Sequence, residues 1–419
     1  MIESQRSRLP RLGVALALLV VAASVSLGES PSLAARVSVT IVGPERFLDT
    51  RTEGQTIDDR FEGVGRLPAQ SVVEIDVTGR GSVPAGALSS VVLNVTAINP
   101  AGPGYVTVYP CGPLPNSSTI NFSLGGGATA NEVLAQLSPT GTLCFFSSVG
   151  VHLAADVVGY GGENNSLQSV PPARLLDTRP TGQTVDGASE SGGRVPAGGI
   201  IALPVVGRGG VPEQDVALVV VNVTAVNPSA SGYVTVFPCD DLPNTSSLNY
   251  GGGSVVSNEV FAQIDLTDGT ICLYSSAATD LVVDVSGHLD TAAVGMIPIA
   301  PQRYLDTRPT GTTFDSDDLG AGKALAGSII EVDMLGRGAV ASDAVAVIMN
   351  LTAIAPDQGG YATVFPCGTI PNVSALNFAS TGGPIANEVL APLSPTGTVC
   401  IFVSATTHVA ADVVAYVRF

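Results

Sequence analysis

The sequence predicts an all-β chain of three tandem modules, each a β-sandwich of jelly-roll-like form closed by one disulfide. Three observations carry this expectation. The motif N-V-T-A-I-N-P-A-G-P-G-Y-V-T-V-Y-P-C at 94–111 returns at 222–239 and again at 350–367, so each copy lies 128 residues after the last. Such a period must be read as a repeat before any other feature. The composition is 45% hydrophobic and 13% charged, with 48 Gly and 29 Pro in 419 residues, which suits short apolar strands joined by turns better than long helices. Short apolar runs alternate with turn signals such as Asn99-Pro100, Pro115-Asn116 and Pro139-Thr140-Gly141.

In chain order, residues 1–34 read as a secretory signal peptide. Arg6, Arg8 and Arg11 precede an apolar run over 12–27, and small residues follow at Ser32-Leu33-Ala34. Cleavage is expected after Ala34, or second after Gly28. The apolar run is shorter than the roughly 20 residues a bilayer requires, so no transmembrane span is expected once the leader is removed. The modules follow at 43–161, 170–289 and 299–419. Their connectors are short, and the modules are expected as beads on a stiff string, close but without a large shared interface.

Within module one, strands are expected at 72–77, 90–97, 104–109, 119–123, 132–137, 142–147 and 151–159. Val91, Leu93 and Val95 take one face of their strand while Asn94 and Thr96 take the other. Seven or eight such strands in about 120 residues point to a sandwich or jelly roll. The six cysteines, Cys111 and Cys144, Cys239 and Cys272, Cys367 and Cys400, keep a separation of 33 in every copy. That regularity predicts one disulfide per module and an oxidising compartment.

The net charge of -18 argues against nucleic-acid and anionic-membrane partners. Against that background, arginine recurs at fixed places. Each module opens on Arg46-Phe47-Leu48-Asp49-Thr50-Arg51 or its counterparts, with Arg174, Asp177 and Arg179 in module two and Arg303, Asp306 and Arg308 in module three. Guanidinium pairs suit anionic ligands. The favoured reading is instead internal pairing that fastens the opening segment, with Asp156, Asp284 and Asp412 as partners inside an apolar strand. Arg80, Arg208 and Arg337 recur between glycines.

A second recurring set comprises Asn94, Thr96, Asn116, Ser118, Asn121, Asn131 and Glu132. It reads either as turn and strand-end satisfaction or as a polar binding rim. A third set, Gly54, Thr56 and Asp58 with its repeats, could hold calcium, most of all where Asp315, Asp317 and Asp318 cluster; a solvated loop is the favoured reading and no other cofactor is expected. Tyr105, Tyr233 and Tyr361 are the aromatic candidates for ligand contact, although a tyrosine beside glycine at a strand start serves packing equally well. Histidine does not support catalysis: His152 and His408 match, but module two carries Asp280 there, and no metalloprotease or hydrolase motif is present.

Taken together, R-x-L-D-T-R, N-V-T-A, G-Y-x-T-V-x-P-C, the P-N-x-S-x-x-N run and the second cysteine resemble exported repeat modules of actinobacteria and related bacteria. The resemblance covers 43–419. It implies an extracellular or envelope location and an accessory role, with no ligand or residue assignment attached. The expectation is a secreted, non-enzymatic protein that binds a wall or other extracellular polymer, or another surface protein. The alternatives are a purely structural spacer or surface-layer component, and an accessory module protein for a secreted hydrolase.

Overall fold

The computed structural model describes residues 39–122, 127–162, 166–291, 295–371, 373–380 and 383–418. The leader expected at 1–34 and the final Phe419 lie outside them. Among the described residues there is no helix, and twenty-four strands fall into six four-stranded sheets.

Module one supplies β1 (Thr40–Asp49), β2 (Ser71–Asp76), β3 (Leu88–Ile98), β4 (Gly104–Tyr109), β5 (Ile120–Phe122), β6 (Ala128–Gln136), β7 (Thr142–Ser147) and β8 (His152–Gly162). They form two antiparallel sheets, in the orders β1-β8-β3-β6 and β2-β7-β4-β5. Modules two and three repeat both orders strand for strand. The expected strands at 104–109 and 142–147 have those limits, and the others differ by a few residues at their ends. The strand not foreseen is β1. Its Gly43-Pro44 and the charged Glu45 and Arg46 break the apolar alternation, and its pairing with β8 shifts register twice, between Ile41 and Glu45 and between Arg46 and Leu48. Bulges of that kind hide a strand from a period-two reading.

The two sheets of a module share one apolar core. In module one Val91, Leu93, Val95 and Ala97 of β3 meet Ile75 of β2, Val106 and Val108 of β4, and Leu143 and Phe145 of β7. Each module also has its expected disulfide: Cys111–Cys144, Cys239–Cys272 and Cys367–Cys400. The first joins the end of β4 to its sheet neighbour β7, where Tyr109 and Cys144 are already paired in register. By chain-entropy reasoning, closing such a loop contributes about 3 to 4 kcal/mol.

Three separate bodies in a line are not what these sheets build. Residues 35–419 form one compact unit. A further apolar cluster draws on all three modules, with Val92, Leu134 and Val158 of the first, Leu218, Val220 and Phe261 of the second, and Ile348, Leu390 and Val414 of the third. Three of the six sheets, one from each module, therefore share a common centre. The cause is the second face of the β1-β8-β3-β6 sheet. Val92 points away from the module core and has no cover within its own module, so the modules close on one another to bury it.

Candidate functional site

The polar residues that recur in the sequence gather where modules meet. On the outward face of β3, Val92, Asn94, Thr96 and Ile98 follow one another at alternate positions. Val92 joins the shared apolar centre, Asn94 lies in a polar belt, and Thr96 and Ile98 line a cleft. β6 and β8 are graded in the same way, through Leu134, Glu132 and Ala128, and through Val158, Asp156 and Ala154.

The belt is a closed ring of side-chain amides and carboxylates. Asn131 of module one donates from Nδ2 to Asn222 Oδ1 at 3.0 Å, and its Oδ1 accepts the Glu259 backbone N–H at 2.8 Å, both in module two. Asn258 makes the same pair of bonds to Asn350 and Glu388 of module three, at 2.9 and 3.1 Å. Asn387 then returns to Asn94 and Glu132 of module one, at 2.9 and 3.0 Å. In the reverse direction each glutamate accepts a neighbour's backbone N–H: Glu132 from Leu390, Glu259 from Leu134 and Glu388 from Phe261. Asn94, Asn222 and Asn350 in turn donate to the carbonyls of Ser374, Ser118 and Ser246. The recurring amides thus bond across modules, a use that neither reading of the sequence foresaw.

Burial dominates the chemistry of the three glutamates. It raises Glu132 from 4.5 to about 8 against the pull of the Leu390 N–H, and it pushes Glu259 and Glu388 up as well, where the other glutamates add to the effect. At about 8, the Glu132 carboxyl is mostly protonated at neutral pH. Glu259 also accepts from the Ser286 hydroxyl at 3.1 Å.

Beyond the belt lies the cleft, and here the arginine motif appears. Arg46 forms a bidentate pair with Asp156, Nε to Oδ1 at 2.7 Å and Nη2 to Oδ2 at 3.0 Å, and reaches Asp49 through Nη1 at 3.1 Å. Arg51 pairs with Asp49 through Nε and Nη2, at 2.9 and 2.6 Å. Arg174, Asp177, Arg179 and Asp284 repeat this arrangement, as do Arg303, Asp306, Arg308 and Asp412. Burial pushes the Asp156 carboxyl up, and the fork from Arg46 pulls against that rise. Burial acts on Asp49 in the same sense, yet the Arg51 bonds outweigh it and hold Asp49 below the usual range.

Module one's Arg46 and Arg51 face Tyr361, Ser374 and Asn377 of module three across a cleft of about 320 Å³. Arg303 and Arg308 of module three face Tyr233, Ser246 and Asn249 of module two across one of about 270 Å³. The two clefts match at most positions, with Thr96 answering Thr352, Ile98 answering Ile354 and Ala154 answering Ala410, while Ala128 and Val373 answer Pro384 and Thr245. At the third seam the corresponding residues are Tyr105, Ser118 and Asn121 of module one with Arg174 and Arg179 of module two, and Asn222 there bonds Ser118 as its counterparts do. In each of the two clefts the candidate arginines and tyrosine therefore line one cavity, and they come from two different modules.

The remaining candidates have internal partners. Asp58 is held by Arg80, Asp186 by Arg208, and Asp315 with Asp318 by Arg337, so all but Asp317 of the carboxylates considered for calcium already face guanidinium groups. Arg80 is nearly inaccessible and stacks over Phe47 at 4.5 Å. Gly54 recurs because a Cβ there would come within 2.6 Å of the Asp49 carbonyl oxygen. His152 and His408 bond Thr50 and Thr307, and Asp280 fills the same place with Thr178. Two groupings of a glutamate with two cysteines, around Glu74 and Glu331, involve disulfide sulfurs and offer no thiolate.

Among the described residues no helix is long and apolar enough to cross a membrane. No protein-family model matches the chain, and no curated protein matches it. Among solved structures, a chain from the atomic structure of Sulfolobus Turreted Icosahedral Virus is similar over 89% of each chain at 8% identity, with a TM-score of 0.19. A likeness at that level carries no argument about fold or role.

Proposed function

We propose that this is a secreted, non-catalytic protein of the bacterial envelope or its surroundings, which holds a wall or surface polymer in three equivalent clefts. The observation that carries the reading is that two clefts at different seams share the same arginine pair, tyrosine, threonine, isoleucine, serine and asparagine positions. Packing alone does not require a part-exposed Arg51 or Arg308 opposite a part-exposed tyrosine. Three sites fixed in one rigid body let weak contacts with a repeating polymer add by avidity. The strand orders β1-β8-β3-β6 and β2-β7-β4-β5 support reading each module as a jelly-roll sandwich, since all consecutive strands but β4 and β5 pass between two sheets over one core. Such sandwiches are carriers of surface sites rather than chemistry in themselves.

A purely structural spacer or surface-layer component is the second reading. It is favoured by the closed ion pairs, which leave most of the recurring charge satisfied internally. Co-sedimentation of the mature chain with isolated cell walls separates the two. The binding reading expects retention that falls when Tyr105, Tyr233 and Tyr361 are all changed to Ala with the melting temperature kept. Protein left in the supernatant, or retention indifferent to those changes, would remove the clefts from consideration.

A further inference from the structure

We infer that each seam cleft accepts an uncharged, hydroxyl-rich ring, a neutral sugar residue of a polysaccharide, and not an anionic group. This deepens the reading of the clefts as binding sites and rests on it.

The paired arginines at first suggest a carboxylate or phosphate, but their charge is already spent. Two guanidinium groups, Arg46 and Arg51, are matched by two carboxylates, Asp49 and Asp156, and all four lie in one hydrogen-bonded chain. Arg303, Arg308, Asp306 and Asp412 give the same balance at the second cleft. An anion would find no net positive charge there, and would approach a protein whose sequence carries -18. Arg51 Nε and Nη2 are taken by Asp49, whereas Nη1 has no bond among the described residues and the side chain is 43% exposed. It is a donor of the kind that suits a hydroxyl oxygen.

The rest of the lining fits the same class. Ile98, Ala154 and Val373 give apolar patches for C–H faces, and Tyr361, 40% exposed, stands at the rim. Thr96 and Thr352 line their clefts, and with Thr224 at the third seam they are buried, each with a hydroxyl that has no partner. An unpartnered buried hydroxyl at three equivalent places is unusual, because such groups ordinarily find partners. Volumes of about 270 and 320 Å³ stand at the small end of ligand pockets, room for one or two rings.

The test uses the mature chain and two probes, the neutral and the acidic polysaccharide fractions of the cell wall, titrated at low and high salt. The inference expects binding to the neutral fraction, insensitive to salt, and weakened by about 2- to 10-fold when the three tyrosines become Ala. The triple change Thr96→Val, Thr224→Val and Thr352→Val is expected to keep or raise the melting temperature, since it removes unsatisfied hydroxyls, while weakening binding. A merely structural threonine would not separate those readouts. Binding confined to the acidic fraction and lost in salt overturns the neutral-sugar inference and leaves the clefts as binding sites. Neutral-fraction binding indifferent to both variants overturns the site. Retention on whole walls without binding to either fraction overturns the inference alone, and failure to bind walls at all overturns both readings.

Discussion

The two faces of strand β3 do opposite work with the same backbone. Val91, Leu93, Val95 and Ala97 enter a module core that is apolar throughout. Val92, Asn94, Thr96 and Ile98 enter a seam that runs from apolar centre to amide belt to open cleft. Apolar burial holds surfaces together but does not fix how they are set against one another. The belt supplies that setting, because each amide and each glutamate finds its partner in only one arrangement of the three modules. The core makes a module, and the seam decides how modules assemble.

Changing both faces puts this division under test. The largest effect of a single substitution is expected from Asp156→Ala, which strands Arg46 in a nearly buried position; about 3 to 5 kcal/mol should be lost, read by chemical denaturation. Leu93→Ala on the core face should cost about 2 to 5 kcal/mol and leave the modules in register, so the particle keeps its radius in small-angle scattering. The triple change Asn131→Ala, Asn258→Ala and Asn387→Ala leaves buried backbone donors unpaired, at about 1 to 3 kcal/mol for each. Here the expected sign is a looser particle and a transition that broadens or splits. An unchanged radius with a single sharp transition would show that the apolar centre alone sets the register.

A pH series sharpens the same contrast. Glu132 is raised by burial from 4.5 to about 8, and Glu259 and Glu388 are raised in the same sense. A carboxyl whose folded value exceeds its unfolded one stabilises fully below about 4.5 and loses that contribution as pH climbs through about 8. The melting temperature should therefore fall between pH 5 and pH 9, and Glu132→Gln should flatten the slope. A flat profile in the parent protein would remove the glutamates from the account of the seam. The smallest effect is expected from Arg60→Ala, whose pair with Asp76 is exposed on both sides; a change within about 0.5 kcal/mol marks the floor against which the seam is measured.

Much of a single module could be read from the chain. The repeat, the β class, seven strand positions in the first copy and the cysteine pairs follow from local pattern and from spacing that only a common fold would preserve. The partners of Arg46 and Arg51 were also foreseeable, since Asp156 is a carboxylate within an otherwise apolar strand and must meet a cation. The assembly was not. Asn94 and Glu132 bond to residues more than 250 positions away, and an amide on a strand looks the same whether it closes a turn, meets a ligand or bonds another module. One sign was available: β3 is apolar on one face and still carries Val92 on the other, so it asks for cover twice. The clefts were hidden for the same reason. Tyr361 and Arg51 are 310 residues apart, and only ring closure brings them together.

The ring made by Asn131, Asn258 and Asn387 is closed within one covalent chain. Three identical subunits joined by the same contacts would part on dilution, with each lost subunit taking half of two sites with it. Here every encounter is intramolecular, set by short connectors and not by how much protein is present. However dilute the protein, the third seam is as complete as the first. Tandem duplication has turned an association constant into a property of the fold.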